Sequence, residues 1–467
     1  MSVEEIVLIL ISIIAIYTIV ALILNQKNIL EKYNISFYGP ALMWRTQKGK
    51  KFISKIAEYK KFWLNYSNVG IFACLILMVL MMVLLLSTIP AVFQVEDTVV
   101  SSNPQLIVGL PGLNPIIPLG FGIIAFIVAI VVHELSHGIL SKVQNIDVKS
   151  LGILYLIIPI GAFCEPDEEK LKESSNRKRL RVFAAGPMAN IITAFVFLGL
   201  ATLLIFSSVQ VASDGAGVFQ VVDDSPAKEQ LNLKPGMIIT SINNSEISSI
   251  SDFKKIMNAT NANQTINITY VDGEKSFSKK VKLADEYYIR YQSLKDEHGE
   301  VNSSLIDEIS KYKGEGYLGV WTTAQFQSDS MILKNPFHQF PFGFLYYIGL
   351  PLFGFMEGYS ILSEPFNNFL VVNSFIPTGM FWNVVNVFYW IFWFNFMVAT
   401  FNVLPMLPLD GGYMFSDLID GFLKRFKKNL AEEKRDKIVS KVTTSISFII
   451  LGIVLSPIVI PNILGML

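Results

Sequence analysis

Residues 119–140 read LGFGIIAFIVAIVVHELSHGIL, an apolar run that ends in the pattern His-Glu-x-x-His. On a helix, residues four apart lie on one face one turn apart, so His133 and His137 can reach the same metal ion. Zinc lowers the pKa of a bound water to about 7, and Glu134 is placed to take up the proton that this water loses. A glutamate in an apolar segment costs roughly 2.5–3.5 kcal/mol to insert, which favours a functional role over chance. The stretch predicts a zinc site at the end of a membrane-spanning helix.

The composition is typical of a membrane protein. Hydrophobic residues make up 52% of the 467 residues and charged residues 16%, whereas about a quarter of a soluble chain is charged. The first apolar block follows Glu4 and Glu5 without a basic flank, which predicts a retained anchor rather than a signal peptide. The formal net charge is zero, so we predict no nucleic-acid partner. About 20 apolar residues are needed to cross a bilayer, and six blocks are predicted to do so: 6–24, 70–93, 119–140, 183–207, 381–404 and 443–465.

The distribution of Lys and Arg predicts the orientation of these helices, because basic loops stay on the cytoplasmic side. Basic residues are concentrated in the segments 27–61, 142–181 and 424–441, and residues 62–141 contain none. We therefore expect these three segments in the cytoplasm and the polar stretch 209–335 outside. This arrangement predicts a multi-pass protein of the cell membrane with its active site near the cytoplasmic side.

Two other apolar segments do not fit a simple crossing. Residues 150–163, SLGILYLIIPIGAF, are short and rich in β-branched residues, which predicts a re-entrant β-hairpin that is covered by protein or lines a wet cavity. Residues 342–362 contain Pro351 and Glu357. A full crossing there would invert the next helix, so we predict a re-entrant or interfacial segment.

A catalytic zinc ion usually has three protein ligands and one open position. The best third candidate is Asp410 in NVLPMLPLDGG, residues 402–412, which follows a predicted span on the same side of the membrane. Pro405 and Pro408 break the helix, so the backbone can turn the carboxylate toward the metal. From spacing alone, an ordinary turn after a helix is an equal alternative.

The segments HELSHG, residues 133–138, and NVLPMLPLDGG resemble the site-2 protease family of intramembrane zinc metalloproteases. The resemblance covers 119–207 and 381–412. It implies that His133, His137 and Asp410 hold one Zn2+ per chain and that Glu134 is the catalytic base. It also implies membrane-anchored protein substrates and a lipid bilayer around the enzyme.

The family's Gly-x-x-x-Asn element is matched by GPMAN, residues 186–190. The resemblance implies that the predicted hairpin and Asn190 hold the substrate extended, with Gly186 in the same element and Asn402 as a similar candidate. Hydrogen bonding between helices is the alternative for both asparagines. Cys164, just after the hairpin, is predicted to be a small apolar filler.

Residues 218–247, VFQVVDDSPAKEQLNLKPGMIITSINNSEI, resemble a PDZ domain of the kind found in proteases. The resemblance implies an extracytoplasmic module that takes up an extended peptide, with peptide termini as ligands. A spacer without a ligand is the alternative. Short strands and one helical turn are predicted within it: strands at 218–222, 237–242, 265–270 and 279–283, and the turn at 252–257.

The predicted fold is a polytopic α-helical membrane protein with about six spanning helices, one re-entrant β-hairpin and an inserted, mainly-β PDZ-like domain. The predicted activity is intramembrane zinc-dependent proteolysis. A metal transporter or sensor that uses the same residues, and an inactive scaffold, are the competing hypotheses. The predicted segments are accessory helices with a basic loop (1–118), the first part of the core (119–207), the PDZ-like domain (209–326), an interfacial segment (327–380), the second part of the core (381–412) and a basic segment with the last helix (413–467).

Overall fold

The chain divides into two units, which we call the first and the second unit. The first unit combines Met1–Phe197 with Trp390–Leu467, and the second unit is Leu198–Tyr389. His133 and Asp410, which are far apart in sequence, therefore belong to the same unit. The computed structural model describes residues 3–38, 41–93, 104–156, 158–299 and 301–464.

Long apolar helices dominate the molecule. The predicted span 6–24 lies in the helix Val3–Gln26, which is apolar from Ala15 to Gln26. A helix satisfies its own backbone hydrogen bonds, so it is an element that can cross lipid. Among the described residues, five helical stretches are long and apolar enough to cross a membrane, and each overlaps a predicted span: Lys60–Pro90, Leu119–Val143, Asn176–Ser208, Thr378–Asn402 and Glu432–Pro461.

The N-terminal half supplies most of the first unit. Before the His-Glu-x-x-His helix it contains α1 (Val3–Gln26), α2 (Ile29–Lys32), β1 (Ile35–Tyr38), β2 (Ala41–Thr46), α3 (Lys50–Ala57) and α4 (Lys60–Val92). From that helix onward it contains α5 (Leu119–Val143), β3 (Val148–Leu156), β4 (Ile158–Pro166), α6 (Glu168–Glu173), α7 (Asn176–Phe183) and α8 (Ala185–Ser208). Helix α8 continues into the second unit.

The predicted strand pair at 150–163 is the antiparallel hairpin β3–β4, in which Leu151 lies opposite Cys164. Its position relative to a membrane stays a prediction. The hairpin is part of a four-stranded sheet in the order β1-β2-β3-β4. The hairpin β1–β2 was not predicted, and its Arg45 reaches Glu165 at the end of β4, with 3.4 Å between Nε and Oε2. In this sheet, β4 is an end strand.

The second unit contains a small antiparallel sheet with short helices. Its main path consists of five strands, in the spatial order Lys275–Lys282, Thr265–Asp272, Ile238–Ile242, Ala216–Val221 and Val320–Thr323. The side chains of Ile266, Ile268 and Tyr270 alternate along the strand Thr265–Asp272 and are buried in a core that also contains Phe253. Its elements are β5 (Val209–Val211), β6 (Ala216–Val221), α9 (Pro226–Glu229), β7 (Ile238–Ile242), β8 (Ser245–Glu246), α10 (Ile250–Met257), β9 (Thr265–Asp272), β10 (Lys275–Lys282), β11 (Ala284–Asp285), α11 (Glu286–His298), α12 (Ser303–Ser310), β12 (Gly316–Tyr317), β13 (Val320–Thr323), α13 (Gln325–Lys334), α14 (Phe342–Glu357) and β14 (Leu370–Val372).

The second unit agrees with the predicted strands at 218–222, 237–242, 265–270 and 279–283 to within a few residues. The charged segment from 286 contains the two helices α11 and α12, and β11 pairs with β12 at its base. Helix α14 has 16 residues, fewer than the about 20 that a crossing requires. Its re-entrant or interfacial position stays a prediction.

Three helices complete the chain: α15 (Thr378–Asn402), α16 (Asp410–Phe426) and α17 (Glu432–Leu464). The part of α15 from Trp390 onward belongs to the first unit, together with α16 and α17. Asp410 is thus the first residue of α16 and follows the short break after α15 that the two prolines predict.

Candidate metal centre

His133 and His137 lie one turn apart on α5 and present their rings to the same side. The helix is continuous through the motif, so their spacing of four residues aligns the two Nε2 atoms. Both side chains are close to fully buried, with exposed fractions of 9% and 12%. The prediction that these two imidazoles converge agrees with the structure.

Asp410 completes the group from the opposite end of the sequence. Its Oδ2 lies 3.0 Å from Nε2 of His133 and 3.2 Å from Nε2 of His137. The ligand atoms of the three residues all lie within 4.8 Å of one another. The structure therefore brings together the three residues that the sequence predicted as metal ligands.

Two glycines allow the sharp turn that aims Asp410. A Cβ on Gly411 would lie 2.2 Å from the carbonyl oxygen of Val403, and a Cβ on Gly412 would lie 2.6 Å from the backbone nitrogen of Leu407. Any side chain at these positions would push the start of α16 away from the preceding loop. The glycine pair is thus required by close backbone packing directly after the carboxylate.

The other nitrogen of each ring has its own partner. Nδ1 of His133 lies 2.6 Å from Oδ1 of Asn190, and Nδ1 of His137 lies 2.8 Å from the carbonyl oxygen of Val182. A backbone carbonyl only accepts, so His137 donates from Nδ1. Asn190 uses its amide nitrogen to donate to Ala129, so its oxygen accepts from His133. Both rings therefore donate from Nδ1, and in the neutral form that metal binding requires, this leaves the Nε2 lone pairs aimed at Asp410.

This arrangement is the one that a zinc ion fits. With neutral rings protonated on Nδ1, neither Nε2 can donate to Oδ2 of Asp410, and that buried oxygen has no other hydrogen-bond partner among the described residues. Two nitrogen lone pairs and a carboxylate oxygen converge without a proton between them, which is unfavourable unless a cation is bound. Two imidazoles and a carboxylate are a ligand set that catalytic zinc uses.

Gly186 keeps the space at the triad open. A Cβ at this position would lie 2.4 Å from Nε2 of His137 and 2.6 Å from Nε2 of His133. Helix α8 therefore passes the two ring nitrogens at a distance that only a glycine permits. The structure places Gly186 against the metal ligands, and its predicted contact with substrate stays a prediction.

Glu134 lies beside the triad and contacts the sheet. Its Oε2 accepts a hydrogen bond of 2.8 Å from the backbone N–H of Cys164 on β4. The thiol of Cys164 is buried against α5, where Gly138 makes room for it. The position of Cys164 agrees with its interpretation as a small filler, but its backbone contact with Glu134 was not predicted.

Asn190 and Asn402 occupy different environments. Asn190 is fully buried and uses its amide for the bonds to His133, Ala129 and Asn395, the last at 2.8 Å. Asn402 is half-buried and donates to the carbonyl of Val398 in its own helix at 3.0 Å. The interpretation of Asn190 as a helix–helix contact agrees with the structure, and the substrate role of both residues stays a prediction.

Two groups that orient residues at the metal centre were not predicted from the sequence. Asn395 is fully buried in α15 and supports Asn190, and it also donates to the carbonyl of Ile391 at 2.8 Å. A polar residue inside a predicted span was a usable signal for it. The carbonyl of Val182, which orients His137, left no signal in the sequence because every residue carries this group.

Comparisons with known proteins agree with the geometry. A sequence profile described as peptidase family M50 matches residues 121–450, which include the predicted base Glu134 and the predicted ligands His133, His137 and Asp410. An uncharacterized protein of Methanocaldococcus jannaschii is 29% identical over 418 residues, which cover 89% of this chain and 85% of that protein.

Two clostridial proteins that match are named provisionally as zinc metalloproteases. The protein of Clostridium acetobutylicum is 26% identical over 319 residues, 63% of this chain and 84% of its own length. The protein of Clostridium perfringens is 31% identical over 159 residues, 29% of this chain and 45% of its own length.

Among solved structures, the PDZ domain of an SdrC-like protein from Listeria monocytogenes matches 25% of this chain and 96% of its own length, at 21% identity and a TM-score of 0.18. The family profile covers most of the chain and spans both segments that supply the triad, which confirms the resemblance to site-2 proteases. The chain belongs to peptidase family M50.

Proposed function

We propose that the chain is an intramembrane zinc metalloprotease that hydrolyses peptide bonds in or next to the membrane-spanning segments of membrane-anchored proteins. The observation that carries this proposal is the convergence of His133, His137 and Asp410, with Glu134 adjacent, at the end of an apolar helix. The names of the two clostridial relatives support zinc as the metal.

Each residue of the site has a separate task in this reaction. His133, His137 and Asp410 hold Zn2+, which when bound polarises a carbonyl and lowers the pKa of water. Glu134 accepts the proton of the attacking water and passes it to the leaving amine nitrogen. The N–H of Cys164 holds one carboxylate oxygen of Glu134, which fixes the rotation of the carboxylate beside the ligands.

The end strand β4 is the proposed binding edge for the substrate. Within the described residues β4 pairs with β3 on one side, and the N–H of Cys164 points to Glu134 instead of into that ladder. An extended peptide can pair with a free strand edge through its main chain. A peptide aligned along β4 would pass Glu134 in the unwound form that hydrolysis requires.

The distribution of basic residues supports a proposal for the side of the membrane on which the site and the PDZ-like sheet lie. The basic segments at 142–181 and 424–441 flank the elements that supply the triad, so we propose that the site lies near the cytoplasmic side of the cell membrane. The second unit then carries its sheet outside the cytoplasm. We propose a PDZ-type role for this sheet, in which the end strand β13 takes up a peptide terminus.

The test compares the wild-type chain with Glu134→Gln and Asp410→Ala in detergent. Bound zinc is measured by elemental analysis, and cleavage is measured with a helical membrane-anchored test substrate. We expect zinc and cleavage in the wild-type chain, zinc without cleavage in Glu134→Gln, and neither in Asp410→Ala. Wild-type zinc content together with full cleavage by Glu134→Gln would refute the proteolytic mechanism. Metal transport by both the wild-type chain and Glu134→Gln, without any cleavage, would identify a transporter.

A further inference from the structure

Helix α16 begins at the candidate ligand Asp410 and carries two more buried carboxylates. Asp417 and Asp420 have side-chain exposed fractions of 5% and 9%. They follow Asp410 by about two and three turns, so they lie about 10–15 Å from it along the helix axis. Neither belongs to the triad. Buried charges are costly unless they are paired, so their partners decide where α16 lies.

Arg179 on α7 is the partner of Asp417. Its Nε donates to Oδ1 of Asp417 at 2.7 Å, and its Nη2 donates to the same oxygen. Its Nη1 donates to the carbonyl oxygens of Lys172 and Ser174 at 3.0 and 2.8 Å. All three nitrogens of the guanidinium are thus engaged, which fixes the plane of the group. A lysine cannot reproduce this fork.

Helix α7 also contacts His137, a histidine ligand of the metal centre. The carbonyl of Val182, three residues after Arg179, accepts the hydrogen bond from Nδ1 of His137. One short helix therefore orients a histidine ligand at one end and binds the helix of the aspartate ligand through Arg179. Metal sites require ligand distances within about 0.2 Å of their ideal values, so a small rotation of α16 would move Asp410 out of bonding distance of the ion.

The second carboxylate reinforces the same arrangement. Asp420 accepts from Asn176 of α7 at 2.8 Å and from Arg435 of α17 at 2.7 Å. Lys424, one turn further along α16, donates to it at 2.6 Å. The amide of Asn176 also donates to the backbone carbonyl of Asp417. Helix α16 is therefore held on two sides by charge-assisted hydrogen bonds, which are about twice as strong as neutral ones.

We propose that Arg179 is a positioning residue of the metal centre, because its ion pair with Asp417 holds α16 on α7 and thereby fixes Asp410 against His137. This inference rests on the proposed function, since it assumes that the triad binds zinc. It adds a pair of residues outside the triad to the determinants of zinc affinity. Burial raises the pKa of Asp417, and the guanidinium of Arg179 opposes that rise.

The experiment measures zinc affinity of the full chain in detergent by competition with a chromophoric chelator. The variants are Arg179→Ala, Arg179→Lys and Asp417→Asn. The control is Arg290→Ala in the second unit, which removes an arginine that pairs with Glu286 at 2.6 Å. We expect at least about a tenfold loss of affinity in Arg179→Ala and Asp417→Asn, a smaller loss in Arg179→Lys, and no loss in the control.

Thermal unfolding of the zinc-free chains separates positioning from a purely structural role. A lower unfolding midpoint with unchanged zinc affinity of the folded chain would overturn the inference. If Arg179→Ala does not fold, Arg179→Lys decides, and wild-type affinity in that variant would also overturn it. A wild-type chain that binds no zinc would refute the proposed function and this inference with it. Wild-type binding with equal affinity in all variants would refute this inference alone.

Discussion

Replacing Gly186 by alanine should remove zinc from the site without unfolding the protein. The new Cβ would lie 2.4 Å from Nε2 of His137 and 2.6 Å from Nε2 of His133. Zinc–nitrogen bonds are about 2.0–2.1 Å long, so the methyl group would occupy the space next to the ion. Optimal contacts between non-bonded carbon atoms are about 3.5–4.0 Å, so the rings would have to retreat by about 1 Å.

A displacement of this size is several times the tolerance of a zinc site, which is about 0.2 Å. We therefore expect Gly186→Ala to lose at least about a hundredfold in zinc affinity, which corresponds to about 2.8 kcal/mol. Alanine in a helix interior is about 0.5–1 kcal/mol more favourable than glycine. The substitution thus affects the metal ligands while favouring the helix, so loss of the fold is not the expected cause.

Chelator competition on the detergent-purified chain measures the affinity, and thermal unfolding without zinc checks the fold. The matched control is Gly199→Ala on the same helix, where an added Cβ meets nothing within 4 Å. The control should bind zinc as the wild-type chain does. Wild-type zinc affinity in Gly186→Ala would refute the conclusion that the ion is held beside this glycine.

Three further predictions concern other parts of the molecule. Asn190→Leu and Asn395→Leu should each weaken zinc binding about 10–100-fold in the chelator competition, because these buried amides orient His133. Wild-type affinity in both variants would contradict that role. Cys164→Pro should lower kcat about tenfold at unchanged zinc content, because it removes the N–H that holds Glu134. Cys164→Ser keeps that N–H and is the control. An unchanged kcat in the proline variant would show that this N–H does not position the base. Gly236→Ala should destabilise the second unit by about 1–3 kcal/mol in chemical unfolding, because Gly236 has a φ of +90° and a Cβ there would lie 2.1 Å from the carbonyl oxygen of Pro365. The control Gly273→Ala, at a φ of +58° with open space around the new Cβ, should destabilise it less. Equal losses of stability would show that the close contact with Pro365 does not contribute.

The three metal ligands could be predicted because each of the two segments that supply them carries its own sequence signal. The spacing of four residues between His133 and His137 defines a helix face, and the Pro-rich break marks where Asp410 can turn. The residues alone left ligation by Asp410 and an ordinary turn as equal alternatives, and the resemblance to a family favoured ligation. The structure supports this pairing with 3.0 and 3.2 Å between the carboxylate oxygen and the two ring nitrogens.

The supporting contacts could not be predicted in the same way. The partners of His137 and Glu134 are a backbone carbonyl on α7 and a backbone N–H on β4, and every residue carries such groups. The partner of Asp417 is the guanidinium of Arg179 on α7. The hairpin β1–β2 was missed because four- and six-residue strands show little periodicity before their partners are known. Arg179 was counted only as one of many basic residues in a loop, although its ion pair with Asp417 joins α7 to α16.

X-ray absorption at the zinc edge of the purified wild-type chain tests the central claim most directly. The account predicts about one zinc ion per chain with nitrogen and oxygen neighbours at about 2.0–2.2 Å, and loss of this signal in Asp410→Ala. A sulfur neighbour at about 2.3 Å, or an unchanged spectrum in Asp410→Ala, would contradict it. Either result would mean that the ion is not held by His133, His137 and Asp410.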